Sequence, residues 1–204
     1  MSVLSDTTSS EPFDTPRREE LLAGAKALFL RLGYRKTTLE DIGRACGLSK
    51  AAAYHYFPGG KRQIFEEEVR HESVRMLNAI HEAVGATRDP AEQMVAVLET
   101  RFRYLGDYLS ETGVAVEMAE LLPQAESIRE EYFRQEAGVL QDILARGQRE
   151  GLFRDIPGDD VPRLLISAVR GIELHFARTS SVDGIASGIP LLLGLLLDGL
   201  RRRP

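Results

Sequence analysis

Residues 37–65 read TTLEDIGRACGLSKAAAYHYFPGGKRQIF, and this stretch carries the start and stop signals of two short helices. Thr38 is expected to cap the first of them, since its hydroxyl can accept a hydrogen bond from a backbone N–H of the first turn. Glu40 and Asp41 follow in that turn, where the helix dipole favours negative charge. Gly47 is the expected C-terminal stop. These signals predict a helix from Thr38 to about residue 46.

A second short helix is predicted directly after this stop. Ser49 is its expected N-cap, and the helix runs to about Phe57 before residues 58–60, Pro-Gly-Gly, break the chain. The apolar spacing upstream predicts a further helix over residues 17–32, ended by Gly33. Two short helices joined by a turn and preceded by a supporting helix are typical of a helix-turn-helix, whose later helix enters the major groove of DNA.

The charge of the chain is divided between a basic head and an acidic body. The 204 residues carry a net charge of −5, which by itself does not indicate a nucleic-acid binder. Residues 13–62, however, hold ten Lys or Arg against five Asp or Glu, whereas residues 63–204 hold sixteen against twenty-four. A small basic module on an acidic body is the distribution expected when only the module meets phosphate.

The rest of the chain also predicts helices and no strand of alternating pattern, so the fold class is all-α with about nine helices. The helical periodicity of the apolar residues and the glycine and proline stops predict further helices at 61–84, 90–109, 113–122, 126–150, 159–176 and 185–202. We therefore expect a disordered arm at 1–16, a helix-turn-helix domain at 17–62 and a helical ligand-binding and dimerisation domain at 63–204.

Several classes of protein are disfavoured by what the sequence contains. The longest apolar run, 191–197, is far shorter than the roughly 20 residues that span a bilayer, so no membrane partner is expected. The single cysteine, Cys46, fits a reducing cytoplasm, and a core thiol is favoured over a redox sensor. His71 lies four residues after Glu67, but one such pair is more typical of a helix surface than of a metal site. No enzyme motif stands out, and neither a cofactor nor a metal is expected.

The sequence of residues 37–65 closely resembles the signature of the TetR family of transcriptional regulators. The matching groups are Thr-Thr, Asp-Ile, Gly-Leu-Ser-Lys and Tyr-His-Tyr-Phe followed by a lysine. The resemblance implies a cytoplasmic homodimer that binds a palindromic operator in double-stranded DNA. It also implies release from the operator by a small, largely apolar effector held in the body helices. A repressor is expected, with an activator as the alternative.

The resemblance also implies which residues contact DNA. Thr38 and Lys61 match phosphate-contacting positions, Lys50 matches a contact to the groove floor or a flanking phosphate, and the remaining positions lie on the second short helix. The complete set is Thr38, Lys50, Ala51, Ala52, Tyr54, His55, Tyr56 and Lys61. Ala51 and Ala53 depart from the Gly and Leu that are common in the family. Because alanine methyls cannot hydrogen-bond base edges, specificity is expected to depend on Lys50, Tyr54, His55 and DNA shape.

The body is expected to carry the effector pocket and the dimer interface. Aromatic, polarizable and polar residues on its helices are candidates for the pocket lining, with plain core packing as the alternative: Tyr104, Tyr108, Met118, Phe133, His175 and Phe176. The last helix is apolar nearly all round through its leucines at 191–193 and 195–197. Burial within the chain is one explanation, but a second subunit packed on the last two helices is favoured. The rival function is a small-molecule carrier or enzyme with a vestigial DNA head.

Overall fold

A computed structural model describes residues 15–112, 125–156, 160–179, 191 and 193–201. Within these residues the chain forms seven bounded helices: α1 (Thr15–Leu32), α2 (Leu39–Ala45), α3 (Lys50–Tyr56), α4 (Gly60–Gly85), α5 (Pro90–Thr112), α6 (Glu126–Arg149) and α7 (Val161–Thr179). Residues 193–200 form a further helical stretch, α8. The fold is all-α, as predicted. The helix predicted at 113–122 and residues 1–14 of the predicted arm lie outside the described residues, whereas residues 15 and 16 belong to α1.

The chain divides into two compact units, Met1–Glu68 and Val69–Pro204. The division falls inside α4, six residues beyond the predicted domain boundary at 62/63. The first nine residues of α4 therefore belong to the first unit, and the remainder of the helix belongs to the second.

The first unit is built around the apolar face of α1. Leu21 and Ala25 on that helix are fully buried, and Ile42, Phe57 and Ile64 supply buried side chains from the elements that follow. An aromatic cluster closes one end of this core, where the rings of Phe29, Tyr34 and Phe65 lie 5.1–6.1 Å apart between centroids. Of the apolar residues whose spacing predicted α1, Leu21, Ala25, Leu28 and Phe29 are buried, whereas Leu32 at its end is 39% exposed.

The second unit has a larger core to which most of its helices contribute. Ile80 on α4, Met94 on α5 and Leu140 on α6 are completely buried in it, and Ile166 on α7 and Leu200 on α8 pack against the same cluster. The backbone of Arg154 donates a hydrogen bond to the Leu200 carbonyl at 2.9 Å. This bond, with an isolated bridge between Phe153 and Arg201, joins α8 to the segment after α6.

A buried ion pair crosses the second unit between α5 and α6. Arg101 donates to Glu136, and both side chains are almost completely inaccessible, at 1% and 0% exposure. The Arg101 guanidinium also lies 5.1 Å from the centre of the Phe133 ring. A buried charge needs such a partner because its desolvation costs several kcal/mol per ion. None of the described helices is long and apolar enough to cross a membrane.

Candidate nucleic-acid interface

Helix α2 begins with a complete capping box. The backbone N–H of Asp41 donates to the Thr38 hydroxyl oxygen at 3.1 Å, and the backbone N–H of Thr38 donates to the Asp41 carboxylate at 3.0 Å. The Thr38 hydroxyl also donates to the same carboxylate at 2.6 Å. These hydrogen bonds hold the pKa of Asp41 below its ordinary value. The predicted phosphate position at Thr38 thus already holds an anion from the protein, with which a phosphate would compete.

Helix α3 is capped by Ser49, whose hydroxyl accepts a hydrogen bond from the Ala52 backbone N–H at 3.2 Å. Ala53 and the following Phe57 are fully buried, which fixes the rotation of the helix. Gly43 on α2 permits the close packing of the two helices, since a Cβ there would lie 3.1 Å from the Leu48 carbonyl oxygen. The result is an α3 helix whose inward face is locked to the head.

The opposite face of α3 is open to solvent and contains most of the predicted DNA contacts. Lys50, Ala51, Tyr54 and His55 are exposed, while Ala52 and Tyr56 are half-buried. The Tyr54 ring also lies beside the start of α4, where Gly60 has a φ of +66° and a Cβ would come within 3.5 Å of the ring. Six of the eight predicted contacts therefore lie together on one short helix, and four of them are exposed.

Lys61 is placed differently from the exposed cations. Its ammonium donates to the backbone carbonyls of Tyr34 at 2.7 Å and Thr37 at 2.8 Å, and it lies 4.2 Å from the centre of the Tyr34 ring. Burial lowers the pKa of Lys61 and is the cause of the shift. The expected phosphate contact of Lys61 rests on its match to the TetR signature, whereas its two backbone partners lie 24 and 27 positions away and leave no local signal in the sequence.

Other cations of the head differ in whether they already form ion pairs with acidic side chains. Arg44 contacts Glu40 at 3.1 Å and Asp41 at 3.7 Å, and Arg62 contacts Glu66 at 2.7 Å. These pairs reduce the positive charge that the head presents at those points. Lys36, which was not among the predicted contacts, is exposed in the turn before α2.

The start of α4 is joined to α1 by two ion pairs. Arg18 pairs with Glu67, and its guanidinium also lies 4.7 Å from the centre of the Phe57 ring. Lys26 pairs with Glu68 at 3.5 Å. Glu67 is thus engaged by α1 in the structure, and not by His71 as the spacing had suggested. Further along α4, the Tyr104 hydroxyl donates to Glu72 at 2.7 Å.

The predicted effector-lining residues are found in different environments. Phe133 is buried in the core of the second unit, with the guanidinium of Arg170 3.9 Å from the centre of its ring. Tyr104 is half-buried, and His175 is exposed on α7. The side chains of Tyr108 and Phe176, and the whole of Met118, lie outside the described residues.

The thiol and histidine side chains of the described residues form no evident reactive centre. Cys46 is partly buried and its Sγ lies 3.4 Å from the Glu20 carbonyl oxygen, and burial raises the pKa of this thiol. A raised pKa disfavours the reactive thiolate. Over the same part of the chain, no group of three or more His, Cys, Asp or Glu is arranged to hold a metal ion.

Comparison with known proteins identifies this head. A family model described as "Bacterial regulatory proteins, tetR family" matches residues 21–67, which span α1 to the first part of α4. The transcriptional regulator LmrA of Bacillus subtilis is 32% identical over 133 residues, covering 62% of this chain and 70% of that protein. The chain belongs to the TetR family. As a TetR-family protein it is a DNA-binding transcriptional regulator.

The similarity to TetR-family proteins extends beyond the head. The transcriptional repressor KstR2 of Mycobacterium tuberculosis is 28% identical over 152 residues, covering 73% of this chain and 76% of the relative. The solved structure of that repressor superposes with a TM-score of 0.63 at 24% identity, over 92% of this chain and 96% of the other. SmeT, the repressor of a Stenotrophomonas maltophilia multidrug efflux pump, gives a TM-score of 0.71 at 22% identity over 91% and 90%. At this identity the two structures show the shared fold.

Proposed function

We propose that this TetR-family regulator is a homodimeric repressor that binds a palindromic operator and is released by a small, largely apolar effector. The observation that carries the DNA part is the exposed face of α3, which presents Lys50, Tyr54 and His55 from a helix locked at its back by Ala53 and Phe57. A rigid short helix with a cation and aromatic donors on its open face suits the major groove. Thr38, Ala51, Ala52 and Tyr56 complete the proposed contact surface.

The dimer part is supported by apolar surface left uncovered in the single chain. Leu164 on α7 and Leu191 and Leu195 on the last helix are 65%, 67% and 65% exposed. Leu164, Ala168, Gly171 and His175 are all exposed and follow one another at helical spacing, so they share one face of α7. A second copy packed on these two helices would cover both faces. His175 therefore fits the proposed dimer interface better than the effector pocket.

The effector part is supported by a part-buried hydrogen bond between two helices of the second unit. Tyr104 is the predicted pocket residue with a direct connection to α4, through its hydrogen bond to Glu72. Because α4 continues from there into the first unit, a molecule that displaced this bond would act on the helix that begins beside the recognition element. Tyr104 and Phe133 are the described residues that we propose to line the pocket, with Tyr108, Met118 and Phe176 as predicted members.

Selection of DNA from a randomised duplex pool tests the DNA and dimer parts together. The enriched sequence should be an inverted repeat whose half-sites lie about one helical turn apart, or a multiple of it, and each duplex should bind an even number of protomers. Affinity should fall steeply with salt because phosphate contacts release counterions. Recovery of no enriched sequence, with weak binding that does not respond to salt, would instead favour the carrier or enzyme with a vestigial head.

A further inference from the structure

The turn between α1 and α2, residues 33–37, is held by several hydrogen bonds. Gly33 begins it with a φ of +82°. The Thr37 backbone N–H donates to the Gly33 carbonyl at 3.2 Å, and the Thr37 hydroxyl donates to the same carbonyl at 2.8 Å. Thr37 is completely buried. A turn fixed at both ends in this way can present the side chains between them in a constant position.

Lys61 adds two long-range hydrogen bonds to this turn. Its ammonium joins the Tyr34 and Thr37 carbonyls, which flank Arg35 and Lys36, and the Tyr34 ring covers a further side of it. An ammonium has three N–H donors, and two of them are used on the turn. Little of this half-buried group is left for a phosphate. What Lys61 fixes instead is the backbone that carries the neighbouring side chains.

Lys36 is the residue that this arrangement presents. It is exposed, and it lies two positions before the N-cap of α2, at the entry to the helix-turn-helix. Arg44, in the last turn of α2, forms ion pairs with Glu40 and Asp41. A lysine on a fixed backbone loses less conformational entropy on binding than one on a mobile loop, so Lys36 is well suited to bind a DNA phosphate.

We infer that Lys36 is a phosphate-binding residue of the DNA interface and that Lys61 is a positioning residue that acts through Lys36. This inference rests on the proposed operator binding. Lys61 holds the 33–37 turn by its two carbonyl bonds, and Lys36 makes the ionic contact. This assignment replaces a direct phosphate contact by Lys61. It predicts that the two substitutions are not additive: once Lys36 has been removed, removal of Lys61 should have no further effect on the ionic contact.

The experiment is a double-mutant cycle read by the salt dependence of DNA binding. The probes are a duplex selected from the randomised pool and a random duplex, and the proteins are the parent, Lys36→Ala, Lys61→Met and the double variant. Each lost phosphate contact lowers the slope of log affinity against log salt by about 0.9, so two protomers lose about 1.8. Between 50 and 200 mM salt that difference corresponds to about 12-fold in affinity. Arg88→Ala, which removes an exposed cation from the second unit, is the control and should keep the parent slope.

The expected pattern is a loss of about 1.8 in Lys36→Ala, a similar loss in Lys61→Met, and no further loss in the double variant. A double variant that loses about twice as much would show that Lys61 binds its own phosphate, and an unchanged slope in Lys36→Ala would show that Lys36 binds none. Either result overturns the inference while leaving operator binding intact. A parent protein without salt-dependent binding would overturn the proposed function as well.

Hydrogen exchange without DNA gives a second readout. The Thr37 amide should exchange faster in Lys61→Met than in the parent and should be unchanged in Lys36→Ala. Lys61→Gln, whose shorter side chain keeps an amide N–H donor group, serves in place of Lys61→Met if circular dichroism shows that the methionine variant is unfolded. An unaltered Thr37 amide in the folded Lys61 variant would contradict the positioning role.

Discussion

At the scale of single residues, side chains of the same type differ in what already surrounds them. Lys50 and Lys61 both match DNA-contacting positions of the TetR signature. Lys50 is exposed at the first position of α3, whereas Lys61 is enclosed by two carbonyls and a ring. The ammonium of Lys50 is thus exposed, whereas that of Lys61 already donates to backbone carbonyls of the protein itself.

Lys50→Ala should change which sequences are bound as well as how tightly. A side chain at the start of the recognition helix can reach base edges, and a good base contact is worth about 1–3 kcal/mol of discrimination. Repeating the duplex selection with this variant should give a sequence relaxed at one position of each half-site. Lys36→Ala is the matched comparison, and it should weaken binding to all sequences equally. If the two variants selected the same sequence as the parent, Lys50 would be a phosphate contact alone.

At the scale of helices, the buried pair of Arg101 and Glu136 is a polar link between α5 and α6. Arg101→Met should destabilise the protein by about 3–5 kcal/mol, because it leaves a carboxylate buried without its main counter-charge. Arg101→Met with Glu136→Leu should recover most of that loss. Urea unfolding at one protomer concentration measures both.

The exposed pair of Arg163 and Asp160 supplies the control for this experiment. Its two side chains are 72% and 70% exposed at a separation of 3.2 Å, so Arg163→Met should cost less than about 1 kcal/mol. Equal costs for Arg101→Met and Arg163→Met would show that the buried pair contributes no more than a surface pair.

The helices also show what can be read from sequence and what cannot. The head was predictable because its signals are local: Thr38 and Ser49 are the N-caps, and Gly33 and Gly47 have the positive φ that their positions required. The Arg101–Glu136 pair was not predicted, since its members are 35 residues apart and both look like surface charges. Period alone likewise does not show which side of an all-apolar helix faces its own core.

The last helix illustrates this limit of periodicity. Leu193 is 6% exposed and packs against Leu98, Phe102 and Val169, whereas Leu195 is 65% exposed. A charge at Leu193 would disrupt the core of the chain, while a charge at Leu195 would meet only the proposed partner. The distinction depends on tertiary contacts with α5 and α7, which cannot be predicted from the spacing of the leucines.

At the scale of the whole molecule, Leu195→Glu should dissociate the proposed dimer without unfolding the chain. An isologous interface would contain two unpaired buried carboxylates, because the two-fold axis repeats the substitution, and each of them weakens association. Sedimentation at micromolar concentration should show a monomer with parent-like circular dichroism and weakened operator binding. Leu152→Glu, at a leucine that is 44% exposed, is the matched control and should remain a dimer. A parent protein that is already monomeric would remove the basis of this prediction.

Effector and operator should each weaken the binding of the other, and the factor by which the affinity falls should be the same in both directions. A ligand shifts the protein only if it prefers the arrangement that cannot bind DNA, and the coupling between two binding equilibria is reciprocal. Calorimetry with an apolar compound that raises the melting temperature should give weaker binding in the presence of saturating operator. Tyr104→Phe, which removes the hydrogen bond to Glu72, should reduce that factor. Unchanged compound affinity with operator bound would leave a DNA-binding regulator without allosteric control by that compound.

The buried Arg101–Glu136 pair also has an evolutionary consequence. A domain of this kind is stable by about 5–15 kcal/mol, and a lone replacement of either partner is expected to remove about 3–5 of them. Descendants that lose one charge would start near the threshold for folding, and a second, compensating change would have to arrive before they were purged. The two positions should therefore be inherited as a unit, while the exposed face of α3 that we propose to contact DNA can change without this loss of stability.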